Sequence, residues 1–363
     1  MINKAAEGAL RNRNSFVDTA KGVSIILVAV GHSYFAKLYP ESFGMLSLVR
    51  MPLFFLLSGI FFSHKLTFPS FALDKAEALL KPYMTAILPF FLLKYLVLEE
   101  VTFFGGLYSI MYSVGSTIYF IPALWYLTHL YVVFICSYCI LKYVRVNSFV
   151  AAFIYLLGIF YLGENESYAS RGMHYPGWVF SADLLVLSVP LFIVGSNLKH
   201  KLLNFKPNQL MFLGSGLLFA LSAYQNGFLD FNLRASGSHI FTFLGSIAAI
   251  YLTLTLVYCM TFIEQLAGVF AYMGKQSLFI LIFHTLVLRR FEGFITEQTG
   301  IEQILLTLVS LITSILVSLL LALVIRRLYC LSILFLPSKT LIRTKRNLFF
   351  SENYDSKLKK TNE

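Results

Sequence analysis

The sequence is poor in charged residues. Only 13% of its 363 residues are Asp, Glu, Lys or Arg, roughly half the share of an ordinary soluble domain. Hydrophobic residues make up 58%, a share that no soluble core can bury, and 36 Phe with 21 Tyr exclude intrinsic disorder. The four cysteines lie in apolar stretches, and Cys136 and Cys139 form an isolated C-x-x-C, so neither disulfides nor a metal site are expected. This composition, with a mean hydropathy of +0.74, predicts a membrane protein.

Apolar runs recur along the chain, separated by short polar segments. A transmembrane helix needs about 20 mostly apolar residues. The runs are continuously apolar, whereas the strands of a membrane β-barrel alternate. We therefore expect an all-α integral membrane protein with a bundle of about ten transmembrane helices. The predicted spans are 22–39, 47–63, 83–104, 117–141, 148–163, 179–197, 209–224, 239–261, 267–288 and 303–326.

Positive charge is distributed unevenly between the two sides of these spans. If the N-terminus is cytoplasmic, 22 of the 29 Lys and Arg residues fall on the cytoplasmic side. The positive-inside rule then predicts that both termini are cytoplasmic. The net charge of +11 reflects this topology and attraction to anionic membrane lipids, so no nucleic-acid partner is expected. The expected domains are a cytoplasmic segment 1–21, a transmembrane domain 22–326 and a basic, solvated cytoplasmic tail 327–363.

Ionisable residues inside the predicted spans mark a candidate site, because a charge in the membrane is costly. Lys21 and His32 are 11 residues apart, which places both on one helix face with about 16 Å between them along the axis. Asp18 lies about 40° from that face. The pattern offers a cation at the membrane edge and an imidazole near mid-membrane that can act as a general base. His284 is a second intramembrane imidazole, and no feature of the sequence brings the two histidines together.

These residues also have a purely structural interpretation. Lys21 can reach the lipid head groups by snorkelling, and His32 and His284 can each form a hydrogen bond between helices. Two other classes of function also stay open. A secondary transporter or glycan exporter would use Asp18, His32 and His284 as proton-relay or gating groups, although the sequence lacks the internal repeat of many transporters. A silent membrane scaffold would leave the alignment of Lys21 with His32 unexplained.

Several short motifs resemble one family. They are Asp18-x-x-Lys21-Gly22, then His32 after ten intervening residues, Met51-Pro52-Leu53-Phe54-Phe55-x-x-Ser58-Gly59, Leu80-Lys81-Pro82-Tyr83, Leu124-Trp125-Tyr126-Leu127, and Met273-Gly274-Lys275-x-Ser277 followed by His284. Together they resemble the membrane-bound acyltransferase-3 family, and within it the fucose 4-O-acetylase-like acetyltransferases. The resemblance covers residues 15–325. The sequence departs from that branch at Arg50, where a His often precedes Met-Pro, and at Lys75 and Lys81, which stand in for a paired-arginine motif.

The resemblance implies an O-acyltransferase of the bacterial inner membrane. Its donor would be cytoplasmic acetyl-CoA, used as a cosubstrate with no permanently bound cofactor. Its acceptor would be a hydroxyl of a cell-surface polysaccharide, a lipopolysaccharide or a lipid-linked sugar precursor. The loops 163–176 and 225–238 carry no recognisable sugar-binding signature.

The resemblance implies roles for Lys21 and His32, and for Lys75 and Lys81 in place of the paired-arginine motif, while the chemistry of the residues supplies the other candidates. The catalytic candidates are His32, Lys21, Asp18 and His284. The candidate donor-binding residues are Lys75, Lys81 and Lys21, although a lysine lacks the bidentate fork of arginine, and positive-inside topology explains Lys75 and Lys81 equally well. The candidate substrate-binding residues are Arg50, Ser58, Tyr83, Trp125, Tyr126 and Ser277.

Overall fold

The chain folds into a bundle of helices. The computed structural model describes residues 15–114, 121–170 and 177–338, with the backbone alone for 164–170. Its first helices are α1 Ser15–Gly31, α2 Phe35–Leu38, α3 Pro40–Gly59, α4 Phe68–Lys75, α5 Lys81–Leu96, α6 Phe103–Tyr112, α7 Trp125–Tyr143 and α8 Ser148–Ser170. The remaining helices are α9 Leu185–Asn197, α10 Lys199–Leu203, α11 Gln209–Tyr224, α12 His239–Met260, α13 Glu264–Lys275, α14 Ser277–Thr296, α15 Gly300–Arg327 and α16 Tyr329–Phe335.

Three shorter features interrupt or join these helices. A π-helical turn, Ala76–Leu80, links α4 to α5, and 3-10 turns Pro122–Leu124 and Val179–Leu184 precede α7 and α9. The strands β1 Leu229–Asp230 and β2 Ala235–Ser236 form a small antiparallel hairpin between α11 and α12.

The described residues contain seven helical segments that are long and apolar enough to cross a membrane. An eighth is obtained if α13 and α14, bent by 82° at their junction, form one broken span. Two shorter apolar helices, Ser148–Gly163 and Gln209–Tyr224, coincide with the fifth and seventh predicted spans. The expected all-α integral membrane fold is thus confirmed, and the count of ten spans stays a prediction.

The first span is displaced from its predicted position. Helix α1 contains Asp18 and Lys21 but ends at Gly31, so His32 is the first residue beyond it. The Ser33 hydroxyl donates to the Val30 carbonyl at 2.7 Å, and such local hydrogen bonds compete with continuation of a helix. His32 therefore lies at the end of its helix rather than inside it, and its depth in the membrane stays a prediction.

The third helix likewise begins earlier than predicted. Helix α3 starts at Pro40, so Pro52 lies in the helix interior rather than near the start of a span. A proline there removes one backbone donor from the helix, a cost that a packed membrane helix tolerates.

Close packing between α1 and α13 fixes the position of α1. A Cβ atom on Gly22 would collide with the Phe270 carbonyl, and one on Gly274 would collide with the Asp18 carbonyl. The Thr19 hydroxyl also donates to the Ala267 carbonyl at 3.3 Å. Small residues allow such backbone contact, which is how many membrane helices associate. The helix that carries Lys21 is thus held in a defined place and orientation.

The beginning of the basic tail packs on the bundle rather than being solvated. The Lys81 ammonium donates to the Leu336 carbonyl at 2.8 Å, and the Thr85 hydroxyl donates to the Leu334 carbonyl at 2.9 Å. The Glu77 carboxylate accepts hydrogen bonds from Ser338. The expectation of a solvated tail thus fails for residues 329–338, because α5 binds their backbone carbonyls and Phe335 packs against Phe279 and Phe283 of α14. The charged residues from Lys339 onward lie outside the described ranges, and the domain boundaries stay predictions.

Candidate active site

Two histidines from distant parts of the sequence meet at the end of α1. The ring centroids of His32 and His284 are 5.3 Å apart, with an interplanar angle of 56°. His284 is fully buried, and its Nδ1 atom lies 2.7 Å from the Ile280 carbonyl oxygen. A carbonyl can only accept, so Nδ1 carries the proton and Nε2 presents a lone pair. Within the described part of the chain, that Nε2 atom has no hydrogen-bond partner.

The imidazole of His32 is accessible, although it lies within the bundle. Its side chain is exposed because it faces three cavities of about 200, 490 and 20 Å³. We name them the α14 cavity, the hairpin cavity and the inner cavity. A reactive group at a junction of cavities can reach two substrates that approach from different directions.

The α14 cavity, of about 200 Å³, carries charged residues on both walls. Lys37 forms an ion pair with Glu292, and Arg289 lines the same space. The buried hydroxyl of Thr285, next to His284, also faces it and has no partner among the described residues. This cavity is therefore polar and open on the side of His32 that faces α14.

The hairpin cavity, of about 490 Å³, lies between the end of α1, helix α3 and the β hairpin. Arg50 and Asp230 contribute opposite charges to its walls, and Trp125 contributes an aromatic ring. The Arg50 guanidinium packs against Gly31, where a Cβ atom would collide with it. The residues that line it are Val28, Gly31, His32, Ala36, Pro40, Phe43, Gly44, Ser47, Arg50, Met51, Trp125, Phe228, Leu229, Asp230, Phe231, Asn232 and Leu233.

The inner cavity lies beside the last turn of α1. It measures only about 20 Å³ and is lined by Val28, one turn before His32, and by Met51, Phe54 and Tyr126. The Tyr126 side chain is buried. Of the sequence-predicted substrate residues, Arg50, Trp125 and Tyr126 thus lie at cavities that His32 also lines.

Lys21 lies at the opposite end of α1. Its ammonium group is 4.3 Å from the centre of the Phe61 ring, a favourable cation–π distance. Asp18, one turn earlier, is buried beneath Gly274. Lys21 lies within α1 and His32 directly follows the last residue of that helix, so their placement on one helix face stays a prediction. We refer to these two regions as the Lys21 end and the His32 end of the bundle.

The remaining sequence-predicted residues do not line the three cavities at His32. Lys75 lies 3.5 Å from the Asp74 carboxylate and 4.7 Å from the Phe134 ring centre. The Tyr83 hydroxyl donates to the Ile110 carbonyl at 2.7 Å, and the Ser58 hydroxyl donates to the Phe54 carbonyl at 2.8 Å. Ser277 begins α14, seven residues before His284. The binding roles of these residues, and of Lys81, stay predictions.

Sequence reasoning missed several polar residues that the fold brings to His32. They are Lys37, Asp230, Asn232, Thr285, Arg289 and Glu292. Most lie beyond the ends of the predicted spans, where a charged residue is unremarkable in a membrane protein. A signal that could have indicated two of them was that Arg289 and Glu292 closely follow His284, just beyond the predicted span 267–288, and the observed helix α14 includes all three.

A family comparison establishes what kind of protein carries this site. Residues 14–323 match the family model described as an acyltransferase domain. The chain belongs to the acyltransferase-3 family. The match includes Lys21, His32 and His284, and this member is a multi-pass membrane acyltransferase. Comparison with curated proteins and with solved structures gives no match. Assignment to the fucose 4-O-acetylase-like branch stays a prediction.

Proposed function

We propose that this acyltransferase moves an acetyl group from cytoplasmic acetyl-CoA to a hydroxyl of a cell-surface polysaccharide, a lipopolysaccharide or a lipid-linked sugar precursor. It would reside in a bacterial inner membrane with both termini in the cytoplasm. The observation that carries the proposal is the contact between the accessible His32 ring and the His284 ring at a junction of cavities. In an acyltransferase, an imidazole placed in this way is suited to activate an acceptor hydroxyl.

The proposed reaction needs one base and one activated acyl donor. His32 removes the proton from the acceptor hydroxyl as its oxygen attacks the thioester carbonyl carbon. The tetrahedral intermediate then collapses, the C–S bond breaks, and the departing CoA sulfur takes the proton from the His32 imidazolium. Tyr126, whose side chain is buried at the inner cavity, is our candidate to donate a hydrogen bond to the oxyanion.

His284 has a supporting role in this mechanism. Its Nδ1–H is held by the Ile280 carbonyl, so its Nε2 lone pair is available to accept an N–H from His32. Such a bond would leave the other His32 nitrogen unprotonated and turned toward the acceptor. The logic is that of a catalytic triad, in which a third group sets the tautomer and orientation of the base. His284 would be a positioning residue, because it acts through His32.

Donor binding fits the Lys21 end, which the charge pattern predicts to be cytoplasmic. Lys21, Lys75 and Lys81 are the cations proposed to bind the phosphates of CoA. The acyl-bearing arm would then extend along α1 for about 16 Å to reach His32. The inner cavity, of about 20 Å³, is too small for that arm. Movement of Met51 or Phe54, which line it, would open the route when the donor binds.

The proposal is tested with membranes that contain the wild type or single variants at matched expression. Radiolabelled acetyl-CoA is supplied, and label is measured in the glycan and lipid-linked sugar fractions. We expect His32→Ala to abolish labelling and His200→Ala, an exposed histidine of α10, to preserve it. Labelling that survives His32→Ala would remove His32 from the reaction. Absence of any labelling, together with no thermal stabilisation of the purified protein by CoA, would contradict the proposed donor.

A further inference from the structure

The hairpin cavity has the size and shape of a small-ligand site. Its volume of about 490 Å³ lies within the range of roughly 300–1,000 Å³ that is usual for ligand pockets. His32 lies on one wall and the residues of the β1–β2 hairpin on another. A molecule bound there would be in reach of the proposed catalytic base.

One polar atom on the hairpin wall lacks a partner. The Oδ1 atom of Asn232 is buried and has no hydrogen-bond partner within the described ranges. A buried acceptor without a donor costs about 1–3 kcal/mol, so a ligand that donates to it would be favoured. The Ser47 hydroxyl, by contrast, is already occupied, since it accepts from the Leu229 amide at 2.9 Å and donates to the Gly44 carbonyl. Asn232 therefore brings an unpartnered acceptor to the residues of this wall, and a ligand hydroxyl that reached it would satisfy that acceptor.

Asp230 adds a second acceptor to the same wall. Its Oδ1 atom accepts from the Leu233 amide at 2.8 Å, which fixes the carboxylate within the turn of the hairpin. A carboxylate has further lone pairs, so Asp230 can accept from a ligand as well. Two neighbouring acceptors on a rigid turn match a ligand that carries adjacent hydroxyl donors.

The charges of the cavity argue for a neutral ligand. Among the described residues that line it, Arg50 and Asp230 are the two with a formal charge when His32 is neutral, and they are close enough to interact electrostatically. Their charges offset each other, so neither an anion nor a cation is favoured overall. The Trp125 ring supplies an apolar surface for the C–H groups of a polyhydroxylated ring.

We infer that the hairpin cavity binds the sugar ring of the acceptor, that this ring is neutral, and that Asn232 and Asp230 select it by accepting hydrogen bonds from its hydroxyls. The inference rests on the proposed function and deepens it, since it assigns the acceptor a place and a chemical class. A site built to hydrogen-bond a hydroxyl also discriminates strongly against analogues that lack it.

The fluorescence of Trp125, which lines the hairpin cavity, can report binding without a measurement of activity. The chain has two tryptophans, Trp125 and Trp178, and Trp178 is 61% exposed. The variant Trp178→Phe keeps the Trp178 backbone amide that the Asp183 carboxylate accepts from, and it leaves Trp125 as the sole indole. The full-length purified protein would be titrated with methyl glycosides of a neutral hexose, a 6-deoxyhexose, an N-acetylhexosamine and a hexuronate.

We expect at least one neutral glycoside to change Trp125 fluorescence saturably and to bind more tightly than the hexuronate. Asn232→Leu should weaken that binding by about tenfold, since it removes the acceptor at similar volume. Asn232→Asp, which keeps acceptor oxygens, should retain binding and show that the hairpin still folds. Asn204→Leu, at a site whose side chain donates to the His200 carbonyl, is the matched control.

Three results would overturn the inference. They are the absence of any saturable response to the neutral glycosides, a response that Asn232→Leu leaves unchanged, and tighter binding of the hexuronate. The labelling assay on the same preparations separates this failure from that of the proposed function. Transfer that depends on His32 without glycoside binding would refute only the acceptor site. Binding that depends on Asn232 without transfer would refute only the acetyltransfer.

Discussion

The buried ion pair between Asp183 and Arg234 should contribute strongly to the stability of the protein at the hairpin. The Arg234 Nε atom lies 2.6 Å from Asp183 Oδ2, and its Nη2 atom lies 3.2 Å from Oδ1. The exposed fractions of the two side chains are 5% and 0%. Asp183 also accepts from the Trp178 amide at 2.9 Å. The pair thus joins the turn before α9 to the hairpin that carries Asp230 and Asn232.

Removal of one partner leaves the other charge buried and unpaired. For Arg234→Met we therefore expect a loss of about 3–5 kcal/mol of stability, which corresponds to a fall in Tm on the order of 5–10 °C. The double variant Asp183→Leu with Arg234→Met should recover much of this loss, because replacing both charges with apolar groups removes the unpaired charge.

A matched exposed pair gives the control. Lys94 and Glu100 are also in contact, at 2.5 Å, but the exposed fractions of their side chains are 29% and 51%. Water screens such a pair, so Lys94→Met should cost no more than about 1 kcal/mol. Thermal unfolding of each purified variant measures the difference. Equal shifts for Arg234→Met and Lys94→Met, or no recovery in the double variant, would refute the reasoning from burial.

The other predictions concern catalysis, donor binding, packing and topology. His284→Ala should lower kcat by about 10²–10⁴-fold with little change in KM for the donor, as steady-state labelling rates would show; an unchanged kcat would leave His284 a structural group. Replacement of Lys75 and Lys81 by Gln should raise KM for acetyl-CoA, and an unchanged KM would attribute both lysines to topology alone. Gly22→Leu should destabilise the protein by about 1–3 kcal/mol or more through overpacking, and this should appear as a lower Tm. Gly268 has open space around it, so Gly268→Leu should leave Tm unchanged. A reporter that works only in the cytoplasm should be active when it is fused to the C-terminus. Activity of a C-terminal reporter that works only outside the cytoplasm would contradict the predicted topology.

The fold class was predictable because it depends on properties that can be read along the sequence, namely the length and the hydropathy of each apolar run. Run length and hydropathy predict helices in a membrane, and they placed the fifth and seventh spans where the two short helices lie. The ends of the spans were less predictable. Helix α1 extends into the charged segment before residue 22 and ends before the apolar run does, because hydrogen bonds of Ser33 and packing of Gly31 outweigh hydropathy there.

The site was predictable only along single helices. Helix geometry alone predicts how far apart Lys21 and His32 lie along the first helix, because they are 11 residues apart. The meeting of His32 with His284 joins residues 252 positions apart and depends on tertiary packing that no local pattern encodes. The same holds for Asp230 and Asn232. Their local sequence indicates only a loop, and their proposed role follows from the cavity that they line.

The break between α13 and α14 connects the two ends of the proposed site. Helix α13 packs against α1 through Gly274, and therefore fixes the Lys21 end. The chain then bends by 82°, and α14 carries His284 to the His32 end. Buried Gln276 lies in the bend, and its side-chain oxygen accepts from Arg326 at 3.2 Å, which ties the bend to the last long helix. The bend thus sets the separation between the proposed donor site and the proposed catalytic base, and we expect donor access to depend on movement of the side chains that line the inner cavity.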